Sequence, residues 1–207
     1  SQEIRHHMMG HLILWGLKKP VMPWGTDGLG EAEIGGTLET TLSDWADQCH
    51  DQGGTVIAPH IGSFNGELAA LTATGRVQGM EMVRMHKQAH EAYYRALNCG
   101  YRMPLVGGTD KMSADVTVGL SRTYAHLPKD DEFNYDNWCK AVTSGKTFIS
   151  SGPIIRLSVN GQPIGSTVEI SSPGTVEIEA SAESIFPLYR LEIVSVSYTH
   201  LRAHETD

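Results

Sequence analysis

Between Leu12 and about Gly145, short apolar runs alternate with amphipathic helical stretches, and this alternation restricts the chain to few architectures. Leu12-Ile13-Leu14-Trp15 reads as a buried strand. Leu38, Leu42, Trp45, Ala46 and Cys49 then recur at helical spacing, with Thr37 as the N-cap and Gly53-Gly54 as the stop. Thr55-Val56-Ile57-Ala58 is the next strand and ends in Pro59-His60. A short helix from Glu67 to Ala73 leads to the strand Met80-Glu81-Met82-Val83. A helix with Ala89, Tyr93, Ala96 and Leu97 on one face follows, then Leu105-Val106 and the turn Gly107-Gly108-Thr109-Asp110. A last helix carries Tyr135, Trp138, Cys139 and Val142 on one side. Strands apolar on both faces that alternate with helices imply a parallel sheet covered by helices. A barrel and an open doubly wound sheet fit this pattern equally.

The texture changes near Ser150-Ser151-Gly152-Pro153. Beyond it Ile155, Leu157 and Val159 alternate with polar residues, and Asn160-Gly161 is a strong hairpin signal. Val168 with Ile170, Val176 with Ile178, and Leu191 with Ile193 continue the period of two. Residues 151 to 194 are therefore expected to form a small antiparallel β module. It has too few strands to close a sandwich alone and is expected to be part of one. The final stretch SVSYTHLRAHETD, residues 195 to 207, follows neither pattern. It reads as non-native junction sequence, so His200 and His204 carry no functional weight.

Composition narrows the function classes. With 207 residues, 40% hydrophobic and 19% charged, the chain matches an ordinary globular protein able to bury a sizeable core. A formal charge of −8 argues against a general nucleic-acid binder, which carries a basic face. No apolar run is long enough to span a membrane, so neither nucleic acid nor membrane is an expected partner. Cys49, Cys99 and Cys139 are odd in number and widely spaced, a pattern of free thiols rather than a disulfide framework. The chain opens at SQEIRHHMMGHL without an initiator methionine, and its sequence names no compartment.

Four ligand-type residues coincide with strand ends. Glu3 stands eight positions before His11, which directly precedes the strand from Leu12 to Leu17. With a turn between them, the two would face each other at one rim. His60 follows the strand Thr55 to Ala58, and Asp110 follows Leu105-Val106. In parallel α/β folds functional groups gather at the carboxyl ends of strands, so His60 and Asp110 converge there. Carboxylate oxygen with imidazole nitrogen suits zinc, manganese or iron. Such an ion would acidify water towards neutrality and supply a nucleophile. Each residue alone has a plainer reading. Glu3 fits a solvated carboxylate, His11 a hydrogen-bonded edge histidine, His60 a strand-end cap, and Asp110 a turn residue.

Several strings together add a resemblance. QEIRHHMMGHLILWGL, GGTVIAPH, YRMPLVGGTDKMSA, VGLSRTY and GKTFISSGPIIRLSVNG, in this order, resemble the CehA/McbA family of metallohydrolases. That family belongs to the polymerase-and-histidinol-phosphatase (PHP) superfamily, and the likeness spans nearly the whole chain. It implies an α/β fold built as a partial, distorted (β/α)7 PHP-type barrel over residues 1 to 150, with the small antiparallel β module after it. It also implies up to three divalent metal ions and hydrolysis of a small-molecule ester, carbamate or phosphoester. By this likeness the metal-bridging glutamate is Glu3, and the further ligands are His11, His60 and Asp110. The amino-terminal His-x-His pair of the superfamily has no counterpart here. Met112 stands where an Asp-x-His ending would place a histidine. The chain is therefore expected to hold metal incompletely and to be crippled as a catalyst.

Around the ligands, Arg122 is the best candidate for an anion clamp, since its planar fork could steady a phosphate or an oxyanion. His7, with His6, lies in the turn between Glu3 and His11 and is assigned to substrate contact or proton movement. Lys111 could act as a point charge, and Glu67 as a helix N-terminal residue favoured by the dipole. A competing reading makes the barrel a degenerate, non-catalytic scaffold, with the β part from Ile154 onward binding a polymer or protein. Met112 is the feature that favours it.

Overall fold

In β1 (Gln2–His6) and β2 (Gly10–Trp15) the period of two is already decisive. Ile4 and His6, with Leu12 and Leu14, point to one side and are fully or almost fully buried. Glu3, Arg5, His11 and Ile13 point to the other. The computed structural model describes residues 1–6, 8–26, 39–60, 67–83, 87–195 and 199–202. His7, Thr37, Leu38 and His204 lie outside the described residues.

The hairpin belongs to a six-stranded sheet with β3 (Gly25–Thr26), β4 (Thr55–Ala58), β5 (Gly79–Met82) and β6 (Leu105–Gly107), in the order β3-β1-β2-β4-β5-β6. The expectation of a parallel sheet holds only for part of it. β4 pairs parallel with β5 and β5 with β6, whereas β2 runs antiparallel to both β1 and β4. The reason lies in connection length. Only three residues separate β1 from β2, too few for the crossover that a parallel pair requires. The outcome is a mixed, open α/β sheet whose described strands do not close on themselves.

Helices α1 (Leu42–His50), α2 (Leu68–Ala73) and α3 (Lys87–Asn98) contribute to the core on one face of this sheet. Leu42, Trp45, Ala46 and Cys49 of α1 are completely buried, the i, i+3, i+4, i+7 stripe of an amphipathic helix. Each large apolar side chain buried here stabilises the fold by about 1.5–3 kcal/mol. The helix begins at Leu42, so its cap is Thr41 rather than Thr37. The Thr41 hydroxyl accepts from the Asp44 amide while the Asp44 carboxylate accepts from the Thr41 amide. This reciprocal pair satisfies two amides that a helix start otherwise leaves open.

The opposite face is divided. At one end Ile57, Val106 and Val142 form a second apolar cluster with Ile13, Trp15 and Trp138, roofed by α4 (Tyr135–Thr143). The Trp15 and Trp138 rings lie 5.1 Å apart. Trp15 pairs with Thr55, the first residue of β4, so this cluster sits at the amino ends of the parallel strands. The other end of the same face, towards their carboxyl ends, carries Glu3, His11 and Glu81.

Two further strands, β7 (Arg122–Ala125) and β8 (Thr147–Ser150), pair antiparallel around α4, with Tyr124 stacked on Phe148 at 4.8 Å. The expected β module is present as a three-stranded antiparallel sheet, β10-β9-β11, made of β9 (Ile154–Val159), β10 (Gln162–Pro163) and β11 (Ile178–Glu183). Asn160 and Gly161 both take positive φ, at 48° and 72°, the conformation of the tight hairpin turn their sequence calls for. Val168 and Ile170, expected in this module, form no strand. β12 (Glu192–Ser195) pairs with β13 (Thr199–Arg202) as a separate hairpin. Cys49, Cys99 and Cys139 are all free thiols, and Cys49 and Cys139 are buried. No helix among the described residues is long and apolar enough to cross a membrane.

Candidate metal centre

Glu3 lies opposite Ile13 and Arg5 opposite His11, so Glu3 and His11 are diagonal neighbours on the same side of the β1–β2 hairpin. Their side chains meet there, with Glu3 Oε1 3.4 Å from His11 Nδ1. Glu3 thus sits in mid-strand rather than at a strand end, and His11 lies inside β2 rather than before it. His60 arrives from β4. The chain leaves the strand through Pro59, and His60 adopts φ 52°, a left-handed conformation uncommon outside glycine, in which Asn, Asp and His are the most frequent other residues. Its Nε2 lies 2.9 Å from His11 Nδ1 and 4.0 Å from Glu3 Oε1. The two imidazoles meet edge to face, with ring centres 4.9 Å apart.

Glu3, His11 and His60 therefore form a group able to hold a metal ion, all three ligand atoms lying within 4.8 Å of one another. The donor chemistry fits a cation. A tetrahedral ion with bonds of about 2.0–2.1 Å places its ligand atoms about 3.3 Å apart. Separations of 2.9, 3.4 and 4.0 Å bracket that value, so small side-chain movements suffice. The electrostatics agree. The hydrogen bond from His11 holds the Glu3 carboxyl below its ordinary value, burial opposes this, and the charges of His11, His60 and Arg5 add to the lowering. Glu3 is thus an anion at neutral pH, as a ligand must be. About half of its side chain is exposed, which leaves the group open to solvent.

Asp110 lies outside that group of three. It follows β6 in a left-handed conformation, φ 47°, and is exposed, with Met112 beyond it also exposed. Its charge nevertheless reaches the same face, because it acts on Glu81. Arg122 is exposed at the start of β7, its Nε beside Gly119, and it makes no ion pair among the described residues. Lys111 does not project as a point charge. Its ammonium donates to the carbonyls of Ser113 and Val116 and ties its own loop. His6 is a correction of a different kind, since strand alternation places it on the helix-covered face. There its Nδ1 accepts from the Met8 and Met9 amides and its ring meets Trp45 edge-on. Glu67 precedes α2 and makes no side-chain cap.

One residue absent from the expected set is Glu81. It points to the same side as Ile57 and His11, since β5 pairs Gly79 with Ile57 and Glu81 lies two residues on. It is 8% exposed and has no hydrogen bond or ion pair among the described residues. Burial first, then the charges of Glu3 and Asp110, pushes its carboxyl up to about 7. Gly108 makes room for it, because a Cβ there would lie 1.9 Å from Glu81 Oε1. The sequence held a signal for this residue in a lone acid within the run Gly-Met-Glu-Met, a strand buried on both faces.

No family model, no curated protein and no solved structure matches the chain.

Proposed function

We propose that the chain is a metal-dependent hydrolase directing water onto an ester, carbamate or phosphoester bond, descended from a PHP-type barrel of the CehA/McbA kind. The observation that carries this reading is the convergence of Glu3 from β1, His11 from β2 and His60 from just beyond β4. A divalent zinc, manganese or iron ion bound there supplies a Lewis acid and acidifies water near neutral pH.

The chain's own residues do the rest. Glu3, anionic through its contact with His11, offsets the cation's charge and fixes one ligand direction. His11 and His60, in mutual hydrogen bond without the ion, would hold it through their ring nitrogens. Ile13 and Ile57 project from the same face of the sheet as Glu3 and His11. Arg122, exposed and without an ion pair among the described residues, is available to meet a developing oxyanion or a phosphate oxygen. Because Met112 stands where the resembled pattern places a histidine, the ion is supplied in excess in the assay.

The test uses purified chain with added manganese or zinc and three chromogenic probes: p-nitrophenyl acetate, a p-nitrophenyl carbamate and bis(p-nitrophenyl) phosphate. Metal-dependent turnover of one of them is expected, reduced at least about 100-fold in His60→Ala with the circular dichroism spectrum unchanged. Equal turnover in the variant refutes the site. Bound metal with no turnover of any probe refutes hydrolysis and favours a non-catalytic scaffold.

A further inference from the structure

We propose that the cleft between the β7–β8 hairpin and strands β9 and β10 binds a small aromatic carboxylate, with its rings against Tyr124 and Phe148 and its charge at Lys146 and His126. The cleft shares no lining residue with the group of Glu3, His11 and His60, and the inference stands without the metal-centre reading.

The β7–β8 hairpin has two faces with different surroundings. Thr123 and Thr147 turn towards β6, where the Thr123 hydroxyl exchanges hydrogen bonds with the Gly107 backbone and the Thr147 hydroxyl donates to the Leu105 carbonyl. Strand alternation therefore sends Tyr124 and Phe148, which pair directly, to the other face. Their rings stack there 4.8 Å apart and within 3° of parallel. The ladder continues one step past both strands, with the His126 amide donating to the Lys146 carbonyl at 2.9 Å. His126 and Lys146 each stand two residues from a stacked ring, so the face that carries the aromatic pair also carries a polar, cationic end.

Across from this face Ile155, Leu157, Pro163 and Ile164 supply an apolar wall, and the space between measures about 520 Å3. That is the scale of small-molecule clefts, about 300–1,000 Å3. Charge selects the ligand. The chain holds 24 acidic against 16 basic side chains, yet among the described residues the cleft is lined by His126, Lys146 and Arg156 and by no acid. Arg156 is turned to Glu183, 3.6 Å away. The Lys146 ammonium has no ion pair among the described residues, and it offers donors only. A neutral hydrocarbon would leave those donors unanswered, and a small inorganic anion would leave the apolar walls wet. A carboxylate carried on aromatic rings meets both demands.

The experiment titrates the full chain, in excess chelator, with biphenyl-4-carboxylate, 4-phenylbenzyl alcohol and acetate, reading affinity by calorimetry. Saturable binding of the biphenyl acid is expected, tighter than that of the alcohol, with no binding of acetate. Lys146→Met should weaken the acid about 5- to 10-fold while leaving the alcohol unchanged. Leu157→Asp, which sets an acid in the wall, should abolish binding of the biphenyl acid, and His60→Ala should bind it as the wild type does. Circular dichroism checks that each variant is folded. Equal affinity for acid and alcohol overturns the charge recognition. Unchanged affinity in both Lys146→Met and Leu157→Asp overturns the placement in this cleft, as does loss of binding in His60→Ala. No binding of the biphenyl acid overturns the inference outright and leaves the metal-centre reading untouched.

Discussion

In the metal-free chain, Glu81→Gln should stabilise the fold, and by an amount that depends on pH. The buried carboxyl of Glu81 is pushed from an ordinary 4.5 to about 7. At about 1.36 kcal/mol per pH unit, ionising it in the folded chain costs about 3 kcal/mol relative to the unfolded chain. Below pH 4.5 both states are protonated and the penalty vanishes. Between pH 4.5 and about 7 the unfolded chain releases the proton while the folded chain retains it, so stability falls with rising pH. Above that window the loss is complete. Glutamine carries no charge in either state, so the variant escapes the penalty. Urea unfolding in excess chelator should therefore show a gain of about 1 kcal/mol at pH 5 and about 3 kcal/mol at pH 8. For a chain of this size that difference corresponds to several degrees of melting temperature. A gain equal at both pH values, or no gain at pH 8, refutes the argument that Glu81 is held buried and unpaired.

Two other outcomes follow from local contacts. Thr41→Ala removes one half of the capping pair with Asp44 and should cost about 1 kcal/mol in urea unfolding, whereas Thr41→Asn should restore most of it. The Glu3 carboxyl titrates below its ordinary value chiefly because of His11, so its stabilisation is present above pH 4.5 and lost as pH falls through the lowered value. His11→Ala should move the Glu3 carboxyl carbon titration upward by NMR in metal-free protein, and an unmoved midpoint refutes the contact.

Much of the element pattern was legible because it depends on short-range periodicity. Thr55–Ala58 occurs as the sequence implies, and the helix over Lys87–Asn98 carries Ala89 and Tyr93 into the core as their spacing requires. β7 escaped notice because Arg-Thr-Tyr-Ala has no apolar run. Its stability comes from pairing with β8 and from Thr123, whose hydroxyl exchanges hydrogen bonds with the Gly107 backbone. Strand direction was misjudged at β2, where turn length and not hydrophobicity sets the pairing.

The sequence alone determined which ligand-type residues were candidates: Glu3, His11, His60 and Asp110 were suggested by their order along the chain, and the family resemblance gave that set most of its weight. Their grouping was not, because it depends on register, on which face each alternate residue takes, and on the left-handed turn at His60. Those choices brought three of the four within ligand distance and left Asp110 outside the group. They also turned His6 to the helix-covered face and Glu81 to the opposite one, where it is buried as well. A side chain's chemistry is written in one position of the chain, but a site is a coincidence of several strands, and only their pairing creates it.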